Sequence, residues 1–204
     1  MILDTNDEDN TDLSEEETDE ETVIEEHELI LSTTAKHYLP KGDWYDFYTN
    51  QRLEGKQFVE VDVDLAHIPM YILAGSTIPM YPVQQYVGAI RIELVTLKVY
   101  FDAEQDFFES VFFEDNGDGY DYKSSLTKEN YTYRIFIQES EPSKFFLTQF
   151  VEDYRNVSYQ FLIQVIGLPF TPTICELDGQ PYPFEQTNWV SLTCPSSFES
   201  LVLR

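Results

Sequence analysis

Hydrophobic and polar residues alternate along many short segments of the chain. In the clearest one, residues 59–65, four aliphatic side chains alternate with three acidic ones. This is the period-two pattern of a β-strand with one face in water. Similar patterns predict strands over 107–113, 131–137, 145–151, 157–165, 189–194 and 201–203. Strands that recur about every ten residues, without amphipathic helices between them, indicate an all-β, antiparallel β-sandwich architecture.

Two places depart from simple alternation. The stretch from Tyr38 to Thr49 turns at Lys41-Gly42-Asp43 and resumes with large rings, which predicts a β-hairpin whose first strand begins near 29–31. Between residues 90 and 101 the apolar phase flips at Leu94-Val95 without a turn. The flip predicts a bulge, or two strand segments that meet at a bend.

The first 28 residues have a different composition from the rest. They contain 14 acidic residues and no lysine or arginine, out of a net charge of −26 for the whole chain. Such a segment cannot bury enough apolar surface to offset its ordering entropy, so we predict a disordered acidic tail over 1–28. An acidic docking arm for a basic partner is the alternative.

The charge and the hydropathy also limit the partners. The remaining residues carry 24 acids against 12 bases, which repels phosphate backbones and anionic headgroups, so neither nucleic acid nor a membrane surface is expected to bind. The chain shows no secretory signal pattern and no apolar run of about 20 residues. We therefore expect a cytoplasmic protein.

Cys175 and Cys194 flank a region with two turns and could lie on neighbouring strands. A disulfide between them is one possibility. Two scattered thiols in a cytoplasmic chain are more often reduced core residues, which is the interpretation we favour.

The acidic turn that starts at Glu114 contains the strongest turn chemistry in the chain, an Asn-Gly pair followed by Asp-Gly. Glu114, Asn116 and Asp118 have the spacing of the first ligands of an EF-hand. Position twelve of that pattern is Ser125, which cannot supply a bidentate carboxylate. We predict a tight hairpin turn here and no metal.

No residues stand out as a catalytic set. Asp43 with Asp46, or Asp118 with Asp121, have a spacing that a pair of glycosidase carboxylates could have, but acidic residues in turns usually cap backbone groups. The three histidines are isolated. A Gly-rich phosphate loop, a His/Cys metal spacing and a serine elbow are all missing from the sequence, so no cofactor is predicted.

Two separated motifs resemble one enzyme family. Ile68-Pro69 is followed by Ala74-Gly75-Ser76-Thr77-Ile78-Pro79, and the second motif is Phe113-Glu-Asp-Asn-Gly-Asp-Gly-Tyr-Asp-Tyr122. Both are similar to motifs that follow the catalytic barrel in glycoside hydrolase family 31, the α-glucosidases and α-xylosidases. The resemblance covers about Thr34 to Arg204 and implies a proximal and then a distal sandwich.

This resemblance leaves out the (β/α)8 barrel. The nucleophile motif of the family, similar to Trp-x-Asp-Met-Asn-Glu, is missing from this sequence. We therefore expect a disordered tail at 1–28, a partial proximal β-sandwich at 29–85 and a distal β-sandwich at 86–204. The chain would be a fragment, a truncated reading frame or one half of a split enzyme.

Two functions compete on this basis. In the first, the chain is a non-catalytic accessory portion that supports a catalytic barrel, in cis or in trans. In the second, it is an autonomous carbohydrate-binding or protein-interaction module. Exposed apolar surface between Tyr38 and Met80 would favour the first, and an aromatic groove the second. The rings of Trp44, Tyr45 and Trp189 are the candidates for stacking on sugars.

Overall fold

The computed structural model describes residues 34–63, 68–115, 117, 131–153 and 158–204, and every regular element in these ranges is a β-strand. The predicted all-β fold is confirmed. The predicted acidic tail and the strand start at 29–31 lie outside the described residues. Thr33–Arg204 form one compact unit. The strands are β1 Thr34–Leu39, β2 Asp43–Asp46, β3 Arg52–Glu54, β4 Gln57–Asp62, β5 Tyr71–Leu73, β6 Thr77–Met80, β7 Leu94–Tyr100, β8 Phe107–Asp115, β9 Tyr131–Glu141, β10 Lys144–Asp153, β11 Gln160–Ile166, β12 Cys175–Leu177, β13 Gln180–Pro181, β14 Glu185–Gln186, β15 Val190–Pro195 and β16 Ser200–Leu203.

Two larger sheets form a sandwich. One has the strand order β13-β12-β16-β10-β9-β8 and the other the order β14-β15-β11-β7-β6. Apolar side chains from both sheets meet in one buried core, as the alternating patterns require. This core includes Val95, Leu97, Val99, Phe136, Phe145, Leu147, Phe161, Ile163, Leu201 and Leu203.

Strand pairing is antiparallel except between β7 and β11, which run parallel. Between these two strands the chain crosses to the other sheet to form β8, β9 and β10. Strand β7 begins at Leu94, and residues 90–93 form no strand. The predicted bulge and the alternative of two strand segments that meet at a bend are therefore both wrong. The change of phase marks the point where a loop enters a strand that pairs on both sides, with β6 and with β11.

Two smaller sheets precede the sandwich, with the orders β3-β2-β5 and β1-β4. The predicted hairpin across Lys41-Gly42-Asp43 is wrong, because β1 pairs with β4 whereas β2 pairs with β3 and β5. The carbonyl of Pro40 accepts two hydrogen bonds, one from the amide N–H of Lys56 at 3.2 Å and one from the indole N–H of Trp44 at 3.0 Å. The segment after β1 is thus bonded to the turn before β4.

The alternation over 59–65 gives the right strand with slightly different ends. Strand β4 runs from Gln57 to Asp62, with Val59 and Val61 half-buried and Glu60 exposed. The segment with Pro69, Gly75 and Pro79 forms the short extended pieces that its broken pattern predicts, β5 and β6. Because β6 pairs with β7, this segment contributes a strand to the five-stranded sheet. The domain boundary near residue 85 stays a prediction.

Strand β9 has its polar side chains on the buried face. Thr132, Arg134 and Gln138 are buried next to Phe136, while the aliphatic and tyrosine side chains on the other face are half-buried. Buried polar groups need partners. Gln138 donates to the Gly75 carbonyl at 2.7 Å, and Arg134 donates to the Ser196 carbonyl at 2.8 Å.

Candidate functional site

Many apolar side chains on and around the two small sheets are exposed. The aromatic rings of Tyr38 and Phe58 are cross-strand neighbours on β1 and β4, with centroids 5.2 Å apart. The ammonium of Lys36 lies 5.0 Å from the Phe58 ring centroid. We define an exposed apolar set of the small sheets as Tyr38, Tyr48, Phe58, Ile68 and Leu73.

This set is part of a longer run of exposed apolar side chains that extends past the small sheets. Most of the large hydrophobic side chains that are exposed in the described ranges lie between Tyr38 and Ile90. A two-stranded sheet such as β1-β4 is marginally stable by itself, since it has little apolar burial to offset its ordering entropy. Exposed apolar groups on such a sheet indicate an interaction surface.

Tyr45, one of the predicted sugar-stacking residues, lies in the core. It is only 2% exposed, and its hydroxyl donates to the Phe101 carbonyl at 2.8 Å. Its ring packs against Tyr100, in a small buried cluster with Ala74 and Ile166. Burial raises the pKa of Tyr45 to about 12. Its ring therefore joins the three-stranded sheet to the sandwich.

The two tryptophans are half-buried. Trp44 donates its indole N–H to Pro40, and Trp189 packs against the same small cluster as Tyr45. Neither tryptophan lines the cavities of about 550, 480, 500 and 240 Å³ in the described part of the chain. Sugar binding by Trp44 and Trp189 stays a prediction.

Two carboxylates of strand β2, those of Asp43 and Asp46, have structural roles. One forms an ion pair, and the other caps a turn. Asp46 accepts hydrogen bonds from the Tyr48 and Thr49 amides at 3.0 and 2.7 Å, and so caps the turn that follows β2. Asp43 is buried and pairs with the guanidinium of Arg52. The hydrogen bond to Asp43 raises the pKa of Arg52. Asp43 and Asp46 thus have structural partners, and the Asp118 and Asp121 pair lies outside the described residues.

Glu114 has partners that differ from those of a calcium ligand. Its two carboxylate oxygens accept hydrogen bonds from the phenols of Tyr81 and Tyr159, the second at 2.6 Å. In the part of the chain that the structure describes, no group of three acidic, histidine or cysteine residues could hold a metal ion. Asn116 and Asp118 lie outside that part. Gly117 has a positive φ of +71°. The predicted tight hairpin turn from Glu114 is wrong, because Glu114 and Asp115 belong to β8 and Asp115 pairs with Tyr131 at the start of β9.

The cysteines are both free and buried, Cys175 on β12 and Cys194 on β15. Both positions agree with core residues, and the reduced state of the two thiols stays a prediction. Burial raises the pKa of the Cys175 thiol to about 11 and that of Cys194 to about 12. Neither thiol has the lowered pKa of a nucleophile.

Sequence comparison identifies relatives of this β-sheet region. A family model for the glycosyl hydrolase family 31 C-terminal domain matches residues 21–78. A 1,6-alpha-glucosyltransferase of Sporosarcina globispora is 33% identical over 177 residues, which cover 83% of this chain and 12% of the relative. The chain belongs with the carboxy-terminal region of glycoside hydrolase family 31.

Other family 31 relatives agree with this assignment. An alpha-xylosidase of Saccharolobus solfataricus is 31% identical over 87 residues, which cover 42% of this chain and 12% of the relative. A solved GH31 dextranase of Flavobacterium johnsoniae has the same fold, with a TM-score of 0.72 at 20% identity over 84% of this chain and 24% of that one. The chain therefore spans about an eighth of the length of these two curated relatives.

The described part of this family 31 region consists of sheets only and forms no (β/α)8 barrel. It also contains no helix that is long and apolar enough to cross a membrane. A cytoplasmic location stays a prediction. The sequence did not predict that Tyr38 and Phe58 are exposed, or that the polar face of β9 is buried. Alternation shows which side chains share a face of a strand, but not what covers that face.

Proposed function

We propose that this chain is a non-catalytic accessory portion of a family 31 α-glycoside enzyme and that its small sheets pack against a catalytic barrel. The exposed apolar set is the observation that carries the proposal. Removing apolar surface from water contributes roughly 25 cal/mol per Å² of favourable free energy. A complex with a partner that covers these side chains is therefore stabilised by the contact. The relatives of this chain include an alpha-glucosidase, an alpha-xylosidase and a glucosyltransferase, and this supports a role in carbohydrate metabolism.

The barrel can be in the same polypeptide or in a second chain. The relatives carry several times more sequence than the part matched by this chain, which supports a partner in cis. An autonomous module is the competing interpretation. It predicts that the small sheets need no cover, whereas their aromatic side chains are exposed.

The test is binding of the chain to a separately expressed family 31 barrel that lacks its carboxy-terminal domains. Phe58→Ser removes an exposed ring of β4, and Phe150→Ser is the matched control on β10, since the two rings are 61% and 59% exposed. We expect co-purification with the barrel to be lost with Phe58→Ser and kept with Phe150→Ser. Turnover of an aryl α-glucoside should appear only in the mixture. Equal binding by both variants would contradict docking through the small sheets.

A further inference from the structure

A cavity of about 480 Å³ lies beside the last residues of β8, within the range of roughly 300–1,000 Å³ that is typical of ligand sites. Its lining is partly polar and partly apolar. The loop after β6 contributes to it, as do β8 and the residue that precedes β11. Its lining includes Tyr81, Gln84, Ile90, Phe113, Glu114 and Tyr159.

Glu114 is the central polar group of this cavity. It is only 7% exposed, and its carboxylate accepts a phenol hydrogen bond on each oxygen, from Tyr81 and from Tyr159. Burial and the bond to Glu114 raise the pKa of Tyr159, so its hydroxyl stays protonated. Because both phenol protons point to Glu114, the phenol oxygens can only accept further hydrogen bonds.

A buried cation lies near one of the two phenols that are bonded to Glu114. Arg134, 2% exposed, follows Thr132 by two residues on the same face of β9, and Thr132 is the register partner of Glu114. The guanidinium carbon of Arg134 lies 5.6 Å from the ring centroid of Tyr159. Asp115, which also lines the cavity, accepts the Gly117 amide at 2.8 Å.

Gln84 supplies an acceptor that the fold does not satisfy. Its Oε1 is buried and makes no hydrogen bond within the described residues. A buried acceptor without a donor destabilises the fold, because it has lost its hydrogen bonds to water without replacing them. A ligand that donates a hydrogen bond to this oxygen would reverse that destabilisation.

We propose that this cavity binds a neutral sugar. Gln84 Oε1, the Glu114 carboxylate and the Tyr159 phenol oxygen are acceptors, so they favour a ligand that carries hydroxyl donors. The exposed apolar side chain of Ile90 provides a surface for the C–H face of a pyranose ring. The sugar class rests on membership of family 31, but the site does not depend on docking to a barrel.

The experiment is a calorimetric titration of the chain alone with maltose and with isomaltose, supported by saturation-transfer NMR. Gln84→Leu removes the unsatisfied acceptor from a half-buried position. Gln186→Leu is the matched control on β14, outside the cavity lining. We expect binding of at least one disaccharide, weakened about tenfold or more by Gln84→Leu, as loss of one good hydrogen bond implies, and unchanged by Gln186→Leu.

Glu114→Gln is the second variant, checked for folding by circular dichroism. It keeps the shape of the side chain, and we expect it to weaken disaccharide binding as well, because one acceptor oxygen becomes an amide donor. Three results would overturn the proposal. They are no binding of either disaccharide by the wild type, equal binding by wild type and Gln84→Leu, and stabilisation by calcium chloride without any effect of sugar. Since no barrel is present in this titration, a negative result leaves the accessory function untouched.

Discussion

The phenol of Tyr45 lies directly against Gly167. A Cβ added to that glycine would be 2.7 Å from Cζ of Tyr45 and 2.9 Å from Cε1, closer than real side-chain contacts. Tyr45 belongs to β2 of the three-stranded sheet, and Gly167 follows β11 of the five-stranded sheet. The absence of a side chain at residue 167 therefore lets the small sheet insert its tyrosine into the sandwich.

Gly167→Ala should destabilise the fold by about 2–4 kcal/mol. The substitution combines a left-handed φ of +83° with overlap against the Tyr45 ring. Gly179→Ala is the control, because its φ of +74° carries similar backbone strain but its Cβ would meet nothing within 4 Å. We expect about 1 kcal/mol for Gly179→Ala. Urea unfolding of both variants measures the difference, and equal losses would show that the Tyr45 contact is unimportant.

Tyr45→Phe should cost about 1–2 kcal/mol of unfolding free energy. It removes the hydrogen bond to the Phe101 carbonyl in a buried place, where that oxygen finds no water. Tyr182→Phe also removes a phenol bond to a carbonyl, that of Thr193 at 2.9 Å, in an exposed place. Its cost should be smaller, at or below about 0.5 kcal/mol. Denaturant midpoints check the order, and a larger loss for Tyr182→Phe would contradict it.

Stability should fall steeply at alkaline pH. The pKa of Cys194 is raised from 9.0 to about 12, and those of Tyr45 and Tyr100 from 10.0 to about 12. The unfolded chain therefore loses these protons first as pH rises, which favours unfolding. The contribution is complete below about pH 9 and is lost towards pH 12.

Urea midpoints at pH 8, 9.5 and 11 test this alkaline effect. The double variant Tyr45→Phe with Cys194→Ala lacks two of the groups and should show a shallower decline than the wild type. An unchanged midpoint across these pH values would argue that the three side chains are accessible to water in the folded protein.

The two thiols should be unreactive in the folded protein. Cys175 and Cys194 are buried, and their raised pKa values leave almost no thiolate at pH 8. In the absence of reductant, we expect a thiol reagent to leave the folded protein unlabelled. In urea, also without reductant, we expect two labels per chain. A protein mass lower by two hydrogen atoms, together with no labelling in urea, would instead indicate a disulfide between the two cysteines.

The sequence by itself determined the strands and their approximate places. Alternation over 59–65 and 107–113 reflects a local property, one face in water and one in protein, so it can be read from neighbouring residues. The role of Asp46 as a turn cap was predictable for the same reason, since its partners are two and three residues away. The two family 31 motifs likewise consist of contiguous residues.

Only the tertiary structure decided which strands pair and what each face contacts. The strands β1 and β2, which contain Tyr38 and Asp43, follow each other closely in sequence but do not pair. Strand β1 pairs with β4 and β2 with β5, because pairing depends on partners at a distance along the chain. The local sequence allowed the Tyr45 ring either to contact a sugar or to lie in the core, and its hydrogen bond to Phe101, 56 residues away, places it in the core. The buried partners of Glu114 and Arg134 arise in the same way, because free energy of burial depends on contacts that only the folded chain brings together.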